Sequence, residues 1–221
     1  FIVLSHEDAA QWTELNNVSV IYNPLPFYPG VSSDNSQKQV IAVGRYVPQK
    51  GFDRLIPAWK IVSEQHPDWT LRIYGDGMRE KLQQQIDSLG ISSNCVLEHS
   101  VPNIVDKYCE SSIFVLSSRF EGFGMVIIEA MACGVPPVSF TCPCGPRDII
   151  TDSKDGLLVE NGDIEGLAGK ICYLIENEKV RKEMGKQARI NVERFKIEHV
   201  AQEWRELFET LTKQPYSDQL S

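Results

Sequence analysis

The stretch QVIAVGRYVPQKGFDRLIPAWKIVSEQHPDWTLRIY, residues 39–74, decides the fold. It opens on QVIAVG (39–44), β-rich and almost continuously apolar, as a strand covered on both faces must be. Over 52–66 the period changes. Leu55, Ile56, Trp59 and Val62 recur at the spacing of one helical face, and Pro67 closes the run. TLRIY (70–74) is a strand again. Strand, crossover helix and strand make one right-handed βαβ unit of a parallel sheet.

Toward the carboxyl end the unit repeats: helix 79–89 stopped by Gly90, strand 95–99, helix 104–109, strand 113–117. A helix then runs to about Cys133, with Gly134 and Pro136 as stop signals, before strand 137–140, a helical turn at 147–150, and strand 157–160 after Asp155-Gly156. Residues 164–211 read as helical. Their last turns carry an apolar stripe, Val200, Trp204, Leu207, Phe208 and Leu211, that needs a partner surface. Toward the amino end, VSVIY (18–22) is a strand stopped by Asn23-Pro24, while FIVLS (1–5) is an apolar strand with nothing before it to pair with. A chain opening at Phe1 in this way reads as a piece of a longer protein. The expected fold class is α/β: a Rossmann-like parallel sheet flanked by helices, with a helical carboxyl-terminal extension and a polar tail after Lys213.

Composition narrows the function. With 221 residues, 42% hydrophobic and 24% charged, the chain can bury a real core. A net charge of −8 with 22 dispersed Lys and Arg leaves no electrostatic footprint for nucleic acid. No apolar run reaches the ~18–20 residues of a membrane span. The six cysteines lie mostly inside apolar stretches, which fits reduced thiols in a cytosolic core better than a disulfide framework. Cys142-Pro143-Cys144 has no second pair beside it, and the four histidines are scattered, so no metal site is expected.

In a parallel α/β sheet, ligands bind at the carboxyl ends of the strands, where helix N-termini present unpaired N–H groups. Three loops qualify. After strand 39–44 come Arg45 and Lys50, two cations between Gly44 and Gly51, which permit close backbone approach; they read either as a diphosphate grip or as two solvated charges. After TLRIY comes Gly75-Asp76-Gly77, either room for a flat ligand against the strand end or an ordinary turn. After strand 113–117, Glu121-Gly122-Phe123-Gly124 opens the helix that carries Glu129. The glycines expose N–H groups where the macrodipole favours an anion, and a carboxylate at Glu129 can accept from the vicinal diol of a ribose. The bland alternatives are a dipole-complementing acid at Glu121 and a polar-face residue at Glu129. The latter leaves unexplained why Glu129 stands between Ile128 and Ala130 in so apolar a helix. Together these residues describe a pocket for a nucleoside diphosphate. Walker A, GxGxxG and Asp-x-Asp are all absent, which disfavours kinase, ATPase and dehydrogenase chemistry and leaves no requirement for a bound metal.

Several motifs in order resemble one family. They are VGR (43–45) with Lys50-Gly51, YGDG (74–77), SSRFEGFGMVIIEAMACGVPPVS (117–139) with its E-x7-E, CGPRDII (144–150), DGLLV (155–159) and NGD (161–163). The chain resembles the retaining GT-B glycosyltransferases of the glycosyltransferase family 4 type. That resemblance implies transfer of a hexose-type sugar, with retention and without a metal or other cofactor, from a UDP-, GDP- or similar nucleotide-sugar donor. The acceptor would be a glycan or lipid-linked intermediate of polysaccharide or lipopolysaccharide-type biosynthesis. It further implies that Arg45 and Lys50 bind the diphosphate and that Glu121 faces the transferred sugar. The backbone of Gly122, Phe123, Gly124, Met125 and Val126 would hold phosphate and hydroxyls, Glu129 the ribose, and Gly44, Gly75 and Val101 would border the donor. Residues 1–16 would be a remnant of an amino-terminal acceptor domain and linker, 17–200 the donor-binding domain, and 201–221 a helix crossing back, with the tail. The donor half alone would transfer nothing. A cytoplasmic location, peripheral at the inner face of the membrane for the full-length protein, is the matching expectation. The competing readings are a non-catalytic nucleotide-sugar-binding module and a GT-B epimerase or phosphorylase.

Overall fold

The computed structural model describes residues 1–213; the tail expected after Lys213 lies outside the described residues. The first strands, β1 (Ile2–Val3) and β2 (Ser19–Val20), flank the single turn α1 (His6–Ala9) and pair in parallel with each other. The 1–5 segment finds its partner later in the chain, and the expected 18–22 strand is corrected to a two-residue strand outside the main sheet. The pairing is carried by Ser19 N–H to the Phe1 carbonyl at 3.0 Å and Ile21 N–H to the Val3 carbonyl at 3.1 Å.

The main sheet has six parallel strands: β3 (Gln39–Val43), β4 (Thr70–Tyr74), β5 (Cys95–Glu98), β6 (Ile113–Leu116), β7 (Pro137–Phe140) and β8 (Leu157–Val159). Their order is β5-β4-β3-β6-β7-β8. The chain therefore builds outward from β3 to one side, returns to β6 beside it, and builds to the other. The helices between strands are α2 (Phe52–Gln65), α3 (Arg79–Ser88), α4 (Ile104–Cys109), α5 (Met125–Ala132) and α6 (Pro146–Ile149). After β8 come α7 (Ile164–Glu176), α8 (Glu178–Asn191) and α9 (Ile197–Lys213).

Because side chains alternate along a strand, the sheet feeds two cores. Val40, Ala42, Leu71, Ile73, Val115 and Val138 pack on one face with Leu55, Ile56, Trp59 and Val62 of α2 and Leu167 and Ile171 of α7. Ile41, Phe114 and Leu116 pack on the other with Ile127, Ile128 and Met131 of α5 and Ala188 of α8. Each such fully buried aliphatic or aromatic side chain stabilises the fold by roughly 1.5–3 kcal/mol. Arg181 of α8, buried, caps the end of α7 by donating to the carbonyls of Leu174 and Ile175 at 2.5 and 2.9 Å. Two cores thus clamp the sheet, so the strand ends and their loops are held at fixed positions.

On α9 the expected stripe is real but only its base is covered. Val200 is buried, whereas Trp204, Phe208 and Leu211 are exposed. A groove of about 600 Å³ runs along it, lined by Pro24, Val200, Trp204 and Phe208 among others. No helix among the described residues is long and apolar enough to cross a membrane.

Candidate functional site

The sheet reverses its build direction between β3 and β6, and at such a reversal the adjoining loops part to leave a crevice at the carboxyl ends of the strands. Arg45 and Lys50 follow β3, and Glu121 follows β6. Across the crevice Lys50 Nζ donates to both carboxylate oxygens of Glu121, at 2.8 and 3.0 Å. The pair is well shielded, with side chains 15% and 7% exposed. Ser118 Oγ adds a further hydrogen bond to Glu121 Oε1 at 2.5 Å. Lys50 and Glu121, read from the sequence as residues with separate tasks, are one ion pair here.

The two loops are fastened to each other on every side of that pair. Ser117 Oγ donates to the Lys50 carbonyl at 2.9 Å, and Arg54 Nη2 to the Ser117 carbonyl at 2.8 Å. Arg119 N–H donates to the Gln49 carbonyl at 2.8 Å. Its guanidinium grips Asp53 through two nitrogens, at 2.8 and 2.6 Å, and these bonds hold the Asp53 carboxyl below its ordinary range. Gly51 has φ +64°, and a Cβ there would lie 2.1 Å from the Ser117 carbonyl oxygen. A Cβ at Gly75 would lie 1.9 Å from the Gly44 carbonyl oxygen. The Cβ positions of Gly75 and Gly51 are thus filled by neighbouring backbone: these glycines let adjacent loops close up. At Gly44 the space is taken by the aliphatic stem of Lys50, 3.2 Å away.

Arg45 is exposed and, among the described residues, its side chain has no hydrogen-bond or acidic partner. At the entry to α5, Glu121 N–H donates to the Pro143 carbonyl and Ile127 N–H to the Gly124 carbonyl, at 3.0 and 2.8 Å. Between them, the N–H groups of Gly122, Phe123, Gly124, Met125 and Val126 meet no protein acceptor among the described residues. Gly122 is exposed, with nothing within 4 Å of a Cβ built on it, and Gly124 turns the chain with φ +100°. Beneath this run, the Phe123 ring is buried against Tyr22 and Phe195 at 5.6 and 5.5 Å between centroids. Phe123 therefore serves the core with its side chain and leaves only its backbone to the surface. Met125 and Val126 are half-buried, as is Val101 on the loop before α4.

Glu129 is half-buried, and its Oε2 accepts from Tyr108 Oη of α4 at 3.0 Å. Burial raises its carboxyl above the ordinary value, and the tyrosine bond opposes that rise. Tyr108 is fully buried, and burial also pushes its hydroxyl well above the ordinary value. Two partners were not singled out in the sequence. Ser118 carries only a weak local signal, its place three residues before Glu121 in the same turn. Tyr108 carries none, being 21 residues from Glu129 on another helix.

Residues 29–191 match the family described as Glycosyl transferases group 1. The chain belongs to that family. An uncharacterized glycosyltransferase of Haemophilus influenzae is 31% identical over 209 residues, covering 92% of this chain and 59% of that protein. The poly(ribitol-phosphate) alpha-N-acetylglucosaminyltransferase of Staphylococcus aureus is 30% identical over 197 residues, covering 88% and 40% respectively. Among solved structures, Staphylococcus aureus TarM superposes with a TM-score of 0.85 at 30% identity, over 94% of this chain and 43% of that one; it was solved with fondaparinux, alpha-GlcNAc-glycerol and UDP. HepE of Anabaena, solved with UDP, gives 0.83 at 26% identity, over 95% and 63%. The chain thus has the Rossmann-like fold of a GT-B domain and spans about half the length of the relatives it matches.

Proposed function

We propose that this chain is the donor-binding half of a retaining glycosyltransferase of the family 4 type, holding a nucleotide-diphosphate sugar at the β3/β6 reversal. The observation that carries this is the run of N–H groups over Gly122 to Val126, unpaired among the described residues and adjoining Glu121, to which Lys50 is bonded. Backbone amides at a helix start and two cations suit a diphosphate without a metal ion, because together they offset the charge of the leaving group. Glu121, fixed by Lys50 and Ser118, orients the hydroxyls of the transferred sugar, and Glu129 accepts from the ribose. Lys50, bonded to Glu121 and beside the diphosphate, ties the leaving group to the sugar-orienting carboxylate. In front-face substitution the departing phosphate takes the acceptor's proton, and the protein's share is electrostatic. The acceptor is a glycan or lipid-linked intermediate engaged by the longer protein. The poly(ribitol-phosphate) and amylovoran activities named for the relatives support polysaccharide or cell-wall synthesis.

Thermal denaturation with UDP, GDP, ADP and dTDP tests the donor site. One of them at a hundredfold excess over its dissociation constant should stabilise the fold by about 2.7 kcal/mol. Arg45→Ala, which breaks no side-chain hydrogen bond or ion pair among the described residues, should remove that response while leaving the unliganded melting temperature in place. A fold that no nucleoside diphosphate stabilises would refute the assignment. Sugar transfer is to be assayed on the longer protein, and turnover by this chain alone would overturn its description as a half.

A further inference from the structure

We propose that Tyr108 is a positioning residue that presents the Glu129 carboxylate to the nucleoside, and that through it the pocket selects ribonucleoside over 2′-deoxyribonucleoside diphosphates. The inference rests on the donor-site assignment above and adds to it a residue on a different element and a substrate class.

Glu129 stands on an apolar helix between buried Ile128 and Ala130, a place where an unsupported carboxylate would turn aside or take up a proton. Tyr108 Oη, itself without solvent, donates to Oε2 at 3.0 Å, and this is the one protein hydrogen bond to the carboxylate among the described residues. Oε1 has no such bond, and it is not among the buried atoms lacking a partner, so it reaches solvent. The tyrosine therefore fixes which oxygen is spent internally and which is offered. It also favours the ionised form, in which every oxygen lone pair accepts.

No other group supplies this. No charged side chain contributes to the state of Glu129 among the described residues. Just past the end of its own helix the buried Cys133 thiol feels the Glu129 charge, and Cys109 of α4 bonds that thiol. Arg189 of α8 is engaged by the Ala132 and Pro29 carbonyls at 2.7 and 2.5 Å. A carboxylate held in this way accepts two hydroxyls of a ribose but only one of a 2′-deoxyribose. The lost bond is made to a charged acceptor, where such bonds are worth roughly 1.5–3 kcal/mol, about a 10- to 100-fold preference.

The test is to measure dissociation constants of UDP and 2′-deoxy-UDP for the wild-type chain, Tyr108→Phe and Glu129→Gln between pH 6 and 8, substituting the matching pair if another base binds. The wild type should favour the ribonucleotide by about 10-fold or more. In Tyr108→Phe the preference should shrink toward about 3-fold, and what remains should be lost at a higher pH than in the wild type, since the bond that opposed protonation is gone. In Glu129→Gln, which folds with the tyrosine bond available, the preference should be small and flat with pH. Equal affinities in the wild type, or a Tyr108→Phe profile superimposable on the wild type, would overturn the inference while leaving a bound diphosphate intact. Absence of binding by every nucleotide would overturn the donor site and this inference with it.

Discussion

Lys50→Met isolates the central ion pair. Methionine keeps most of the stem that lies 3.2 Å from the Gly44 Cβ position and deletes only the ammonium. What it leaves behind is a carboxylate 7% exposed, deprived of bonds at 2.8 and 3.0 Å and retaining Ser118 at 2.5 Å. Removing one partner of a shielded pair costs about 3–5 kcal/mol, chiefly because the survivor remains desolvated. For a chain of this size that corresponds to a fall in melting temperature on the order of 6–20 °C. Glu121→Gln in the same background removes the stranded charge and should recover much of the loss, so the two substitutions are strongly non-additive. Differential scanning calorimetry of the wild type, both single variants and the double variant measures this. A single Lys50→Met variant that melts within about 3 °C of the wild type, or a double variant less stable than Lys50→Met alone, would refute the account of the pair as mutually dependent.

Glu129→Gln should stabilise the unliganded fold at neutral pH while weakening nucleotide binding. The folded carboxyl is raised by burial, so its favourable contribution is full below the ordinary carboxylate value and is lost as pH rises through the raised folded value. Between those two limits the wild type should gain stability from Glu129 on acidification relative to the glutamine variant; parallel curves of melting temperature against pH would contradict it. Gly75→Ala drives a methyl to within 1.9 Å of the Gly44 carbonyl oxygen, and should destabilise by about 3 kcal/mol in urea unfolding, with a neutral outcome counting against the backbone contact.

Much of the sheet could be read before its structure. Residues 39–43 and 70–74 announce themselves through largely apolar, β-rich runs between turn signals, and α2 through a period held over about two turns. The β1–β2 pairing could not be read, since two-residue strands have no period and the fit is made by ordering the intervening chain. Residues at the site were legible by type but not by partnership. Arg45, Lys50, Glu121 and Glu129 were visible because charge in an apolar or glycine-rich context is informative locally. That Lys50 pairs with Glu121, 71 residues away, follows from β3 lying beside β6, and no local pattern encodes strand order. Tyr108 was hidden for the same reason: in sequence it is one more aromatic in a short helix, and only the packing of α4 near α5 turns its hydroxyl into a donor for Glu129. What Gly75 meets was equally hidden, since its missing Cβ admits the Gly44 carbonyl at the end of the neighbouring strand, a contact that strand order decides.

The unclaimed amides from Gly122 to Val126 belong to the main chain, and every residue but proline supplies one. The phosphate grip proposed for them would be written in geometry and not in side-chain identity, and so would survive substitution at Met125 and Val126. On that proposal, a change of nucleotide sugar would need new side chains only around the anchor, with the main-chain amides left as they are.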